Sequence, residues 1–256
     1  MTPADIITAH PSIWPFSKAL APHYATFARP LPRPIVSSDP SSSLKIDAVF
    51  VYSDPRDWGL DATILLDVLL SSQGILGTIS DKNNIAELPN RGFLQDGQPP
   101  LFYSNPDLWW ASAYHLPRLG QAGFREAMEG IWAAVTGGPA KGVELRKTII
   151  GKPYRLTYEF AEKKLHEHRT KLLVGDETNG EFNPLKKIFM IGDNPESDIR
   201  GANEFRSPRN SEWVSILVKT GVYKGGQPNY APQACKDDVW SAVNWALESS
   251  GLHTID

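Results

Sequence analysis

Lys187-Ile188-Phe189-Met190-Ile191-Gly192-Asp193-Asn194-Pro195-Glu196-Ser197-Asp198-Ile199-Arg200-Gly201-Ala202-Asn203 is the stretch on which the fold turns. Its apolar run, Ile188 to Ile191, stops at Gly192 and Asp193, and a polar loop leads into a helical pattern. A run this short between turn residues reads as a buried strand. The carboxylates then lie just past a strand's C-terminal end, where open α/β sheets bind their ligands. Asp193 at the strand tip and Asp198 five residues on can approach one point. Two hard oxygen donors on a short loop suit Mg²⁺, which takes one or two carboxylates and completes its shell with water and phosphate oxygens. Spacing alone fits a capped strand-to-helix turn equally well, with Asn194 or Ser197 as the cap.

Outward from this stretch, the second half of the chain alternates strands and helices. Thr148-Ile149-Ile150 runs into Gly151-Lys152-Pro153, and a helix follows over Leu156 to His168. A loop through Gly175 and Gly180 leads to the Asp193 strand, and Ile199 to Phe205 is helical. Val214 to Val218 is a strand ending in Lys219-Thr220-Gly221-Val222-Tyr223, and Val239 to Leu247 is an amphipathic helix begun by Asp237 or Asp238. Repeated βα units imply a parallel sheet.

In the first half, Ile46 to Tyr52 reads as a strand ending at Ser53-Asp54-Pro55-Arg56-Asp57, and Asp61 or Thr63 starts the next helix. Ile75 to Ile79 and Leu101-Phe102-Tyr103 are further strands, separated by a polar surface insertion over Asp81 to Pro100. A helix is expected over Gln121 to Val135, with Phe124, Met128, Ile131 and Trp132 on one face. Residues before Ala28 carry little periodic signal, and a Pro- and Ser-rich connector follows. Trp109 and Trp110 are read as buried, with an aromatic substrate wall as the other use.

Composition bounds the partners. Of 256 residues, 41% are hydrophobic and 21% charged, which fits a globular protein, and a net charge of −3 gives no nucleic-acid or anionic-membrane surface. One cysteine, Cys235, excludes an internal disulfide and a Cys-based metal cluster. No apolar run reaches membrane-spanning length, and the first residues lack the basic and long apolar regions expected of a signal peptide. The six histidines lack metal spacing, and His166 and His168 read as solvated.

Three strand ends now form an ordered set: Gly151-Lys152-Pro153, Gly192-Asp193 through Asp198, and Thr220-Gly221-Val222. A lysine beside two carboxylates and a metal can hold a phosphoryl group and neutralise charge developing in its transfer. In this order the set resembles the haloacid dehalogenase (HAD) superfamily. Gly151-Lys152-Pro153 is similar to its motif III in the subfamily IIA form, and Gly192-Asp193 with Asp198 to its acidic motif IV. Asp47-Ala48-Val49-Phe50-Val51 and Tyr103-Ser104-Asn105-Pro106-Asp107 resemble the α/β cap of that subfamily. The opening Thr2 to Ile6 and Pro11 to Phe16 resemble the eukaryotic branch named after the cat eye syndrome critical region.

The resemblance implies an α/β fold: an irregular lead-in over 1–43, a cap module over 44–147, and half of a Rossmann-like core over 148–256. It implies Mg²⁺-dependent hydrolysis of a small phosphorylated metabolite through an aspartyl-phosphate. Asp193 would ligate the metal, Asp198 would support the metal shell or hold the lysine, and Lys152 would steady nucleophile and phosphate. Asn105 and Asp107 would face the substrate, or merely cap a turn. A mitochondrial setting is implied, with a cytoplasmic one otherwise, and the branch is linked to phospholipid synthesis.

One departure stands out. The family's nucleophile sits in a D-x-D motif, and the 256 residues contain none. Ser53 to Asp57 has its second aspartate one residue too far on and reads as a cap loop. The chain starts about where the cap starts, so motifs I and II and the first core strand are expected to be missing. Turnover by this chain alone is then expected to be negligible, leaving a binding module as the other reading. Ile149 and Ile188 are expected to face an open slot, filled by a missing N-terminal segment or a second copy.

Overall fold

A computed structural model describes residues 1–16, 18–174 and 185–255, so the expected loop through Gly175 and Gly180 lies outside the described residues. The chain divides into two compact units, Met1–Tyr103 with Phe124–Thr148, and Ser104–Gly123 with Ile149–Asp256. The fold is α/β.

The first unit opens with order that the sequence does not advertise. Helix α1 (Pro3–Ala9) has Thr2 as its N-cap and Asp5 as the reciprocal capping-box acid. Asp5, 4% exposed, also accepts the backbone N–H of Arg29, tying α1 to the segment after α2 (Ala21–Ala25). Strand β1 (Val49–Val51) is shorter than the Ile46–Tyr52 expectation, because only these residues find a ladder partner, parallel β2 (Leu101–Tyr103).

Helix α3 (Trp58–Leu70) starts earlier than Asp61 or Thr63, because Asp57 accepts the N–H of Leu60 and acts as the N-cap. That role settles the Ser53-to-Asp57 stretch as a helix entry. Ile75 to Ile79 forms no strand: Gly77 takes a positive φ, and Ile75 makes an isolated bridge to Lys45. The 81–100 stretch is not wholly surface, since Phe93 is 5% exposed within the core. Helix α4 (Gln121–Thr136) sends Phe124, Met128 and Trp132 into that core at four-residue spacing, each worth roughly 2–3 kcal/mol of apolar burial. Ile131 stays at the surface.

In the second unit, Trp109 and Trp110 form β3 (Trp109–Trp110) of a two-stranded antiparallel pair with β4 (Arg118–Leu119). Both rings are 46% exposed, which corrects the buried reading. Strand β5 (Thr148–Ile149) marks the passage between the units, and α5 (Arg155–Val174) follows. Strands β6 (Lys187–Gly192), β7 (Glu212–Val218) and β8 (Ala234–Lys236) form a parallel sheet in that order, with Lys187 opposite Glu212 and Gly192 opposite Leu217. Strand β8 was not foreseen.

Among the described residues β6 has a ladder partner on one side only, yet Ile188 does not face an open slot. It is 6% exposed, packed with Tyr158, Phe205 and Trp213. Beyond β6 the chain makes a π-turn over Pro195–Ile199 before α6 (Arg200–Glu204), where a plain helix over Ile199–Phe205 was expected. Helix α7 (Val239–Ser249) begins at Asp238, which accepts the N–H of Ser241.

Candidate functional site

The parallel register brings the C-terminal ends of β6 and β7 side by side, so the loops at 193–198 and 219–223 emerge together. Asp193 is the first residue past β6. Its Oδ2 accepts the backbone N–H of Val222 at 2.6 Å, and its carbonyl accepts that of Tyr223 at 3.1 Å. Oδ1 carries no hydrogen bond among the described residues. A Cβ on Gly221, which has φ +90°, would overlap the Asp193 carboxylate. Gly221 is therefore required twice, for backbone conformation and for the approach of the acid.

Asp198 does different work. It is 1% exposed, and both its oxygens are taken: Oδ2 accepts the N–H of Asn194 at 3.0 Å, and Oδ1 accepts the Lys152 ammonium at 2.5 Å. Gly192 leaves room for it, since a Cβ there would overlap the Asp198 carboxylate. Asn194 caps the π-turn by accepting the N–H of Glu196, one of the two caps foreseen.

Lys152 reaches Asp198 from a loop 46 residues away in sequence. Gly151 holds that loop with φ +119° against Pro106, and its N–H donates to Thr157. Partial burial opposes the ammonium charge, but Asp198, then Asp107 and Asp193, outweigh it and lift the Lys152 pKa above its ordinary value. Lys152 is thus held as a cation.

Asp107 joins the same cluster. Burial raises its pKa, and the Lys152 charge partly offsets the rise. Asn105 does not reach the cluster in the same way: its side chain accepts the N–H of Asp107, a local turn cap. Among the described residues no group of three or more His, Cys, Asp or Glu side chains is arranged to hold a metal ion. The donors present fit Mg²⁺ as part of a shell: the unengaged oxygen of Asp193, with water and phosphate oxygens completing it.

Sequence reasoning placed Gly192 and Gly221 in the strand-end set without giving either a role, and it missed Tyr158 outright. The glycines had a weak signal beside polar residues, Gly192 ending β6 and Gly221 lying three residues past β7. Tyr158 had none. Elsewhere, His166 is half-buried rather than fully solvated, and Cys235 is exposed.

Residues 149–242 match the HAD-hydrolase-like family model. The chain is 41% identical over 203 residues to a cardiolipin synthase (CMP-forming)/mitochondrial hydrolase fusion protein of Schizosaccharomyces pombe, covering 79% of this chain and 29% of that protein. It is 33% identical over 261 aligned residues to a mitochondrial hydrolase of Saccharomyces cerevisiae, covering 95% of this chain and 65% of that protein. The chain thus spans less than two thirds of either relative. A possible sugar phosphatase of the HAD superfamily from Cytophaga hutchinsonii superposes over 80% of this chain and 56% of its own, at TM-score 0.45 and 18% identity.

Proposed function

We propose that the Lys152–Asp193–Asp198 cluster is the Mg²⁺ and phosphoryl half of a phosphomonoester hydrolase site, a reading supported by the match of residues 149–242 to the HAD-hydrolase-like family model. The observation that carries this reading is the Lys152–Asp198 pair at 2.5 Å beside Asp193. It keeps one cation charged at a strand end where an anionic substrate would sit.

Lys152 would contact phosphoryl oxygens and stabilise charge that grows as the ester bond breaks. Its aim is set by Asp198, whose own position is fixed by the Asn194 N–H. Asp193 would offer its unengaged oxygen to Mg²⁺, while the Val222 N–H holds the other oxygen in place. When bound, the metal would neutralise phosphate charge as a Lewis acid. Asp107, whose charge acts on Lys152, would limit how much net positive charge the site presents to a phosphorylated metabolite.

No D-x-D motif occurs in the 256 residues, so no equivalent of the family's attacking aspartate can be named. This favours a second reading, in which the chain binds Mg²⁺ and phosphate without turning over. The names of both yeast relatives support a mitochondrial setting, and the fusion with cardiolipin synthase in one supports a link to phospholipid metabolism.

Calorimetric titration with Mg²⁺, then with inorganic phosphate in saturating Mg²⁺, tests the site. Binding should weaken at least about tenfold for Mg²⁺ in Asp193→Asn and for phosphate in Lys152→Met, consistent with loss of a charged contact. Absence of both bindings in the unaltered chain would refute the reading. Measurable p-nitrophenyl phosphate hydrolysis by this chain alone, abolished in Asp193→Asn, would refute the non-catalytic alternative.

A further inference from the structure

We infer that Tyr158 is a positioning residue for the proposed site: it anchors the π-turn so that Asp198 meets Lys152. The inference rests on the reading of that cluster given above. Tyr158 is 2% exposed, and its hydroxyl lies 3.2 Å from the carbonyl oxygens of both Ser197 and Asp198. One O–H donor is shared between the two carbonyls, one of which belongs to the residue that holds the lysine.

A π-turn is wider than an α-turn and departs from the regular helical ladder, so its backbone depends on outside contacts for its shape. Here the contact comes from α5, the helix that starts three residues after Lys152. A single rigid element therefore sets both partners of the ion pair: Lys152 through its entry loop, Asp198 through the Tyr158 hydroxyl.

The ring is itself fixed. It stacks on Phe205 at 5.5 Å and meets Trp213 edge-on at 5.1 Å. Gly201, in the first turn of α6, leaves the space that the hydroxyl end fills, since a Cβ there would overlap Tyr158. Core packing alone would account for the ring and for Gly201, but not for a hydroxyl directed at two carbonyls of the acidic loop. Ring and hydroxyl are thus separable by experiment.

Tyr158→Phe keeps the ring and removes the donor. Lysines of the whole chain are labelled by reductive ¹³C-methylation, and the Lys152 resonance is identified by its disappearance in Lys152→Arg. Its titration midpoint is then followed by NMR in the unaltered chain, Asp198→Asn and Tyr158→Phe. We expect the Tyr158→Phe midpoint to fall at least part of the way to that of Asp198→Asn. Mg²⁺ affinity should weaken by roughly tenfold, as for other outer-shell partners of a metal site.

A Lys152 midpoint in Tyr158→Phe that coincides with the unaltered chain overturns the inference, whatever happens to Mg²⁺ binding. A moved midpoint in a chain that binds no Mg²⁺ upholds the positioning role and refutes the metal reading instead. Should Tyr158→Phe not fold, Gly201→Ala displaces the hydroxyl while leaving it present, and must move the Lys152 midpoint in the same direction.

Discussion

Replacing Asp198 and Asp193 separately by alanine should split two jobs that one short loop assigns to two carboxylates. Asp198 is buried and accepts two hydrogen bonds, one of them from an ammonium. Removing one member of a fully buried ion pair costs about 3–5 kcal/mol. The Lys152 side chain is 40% exposed, so water recovers part of its solvation and the pair term falls to roughly 1–2 kcal/mol. The Asn194 N–H then loses its acceptor inside the loop, which adds about 1–2 kcal/mol. Asp198→Ala should therefore lose about 3 kcal/mol, a fall in Tm of roughly 6–12 °C for a chain of this size.

Asp193 is half-buried and holds the Val222 N–H with one oxygen. Asp193→Ala should cost only about 1 kcal/mol. Mg²⁺ affinity should rank the other way: Asp193→Ala should lose it outright, whereas Asp198→Ala, measured below its Tm, should retain weakened binding. Thermal and urea unfolding in metal-free buffer, followed by Mg²⁺ titration, reads both orders. Equal stabilities for the two variants, or greater metal loss at Asp198 than at Asp193, would refute this division of labour.

Other substitutions probe the frame around these acids. Gly221→Ala and Gly225→Ala both place a side chain at positive φ, +90° and +101°, and each should lose about 1–2 kcal/mol in urea unfolding. Only Gly221 abuts Asp193, so only that variant should also lose Mg²⁺ binding. Gly192→Ala pushes on Asp198 and should cost about 1–3 kcal/mol while lowering the Lys152 titration midpoint. In the first unit, burial, with Asp57 adding to it, raises the Asp61 pKa to about 6. The folded state then holds its proton more tightly than the unfolded state, so stability is greatest below about pH 4 on this account and declines as pH rises to about 6. Asp61→Asn should flatten that decline and gain roughly 2–3 kcal/mol at pH 7, and an unchanged slope in denaturant midpoint against pH would refute it. Asp57→Ala removes the N-cap of α3 and the acceptor of the Tyr24 hydroxyl, and should lose about 1–2 kcal/mol.

How much was legible follows the physics of each element. Helix α4 was readable because Phe124, Met128 and Trp132 repeat at helical spacing, and α7 because Asp238 is a good cap before an apolar stripe. Strand β8 was not, because Ala234-Cys235-Lys236 has no pattern of its own and is a strand only through its ladder with β7. Trp109 and Trp110 misled for a related reason: their size argued for burial, but a two-residue strand shows both rings to solvent. Helix α1 went unread because its capping box sits in a short segment whose burial depends on distant neighbours.

By itself, the sequence determined the α/β alternation, carried the family resemblance, and pointed to the acids and lysine of the candidate site, since apolar periodicity, turn residues and motif spacing are local properties. Only the tertiary structure decided what each charge is for. Parallel β6–β7 register sets the Val222 N–H on Asp193, and the α5 entry brings Lys152 to Asp198 across 46 residues. Hydrogen bonds between residues so far apart depend on where strands and helices end in space, and no local spacing encodes that. It is why Asp193 keeps one carboxylate oxygen without a hydrogen bond among the described residues and Asp198 does not.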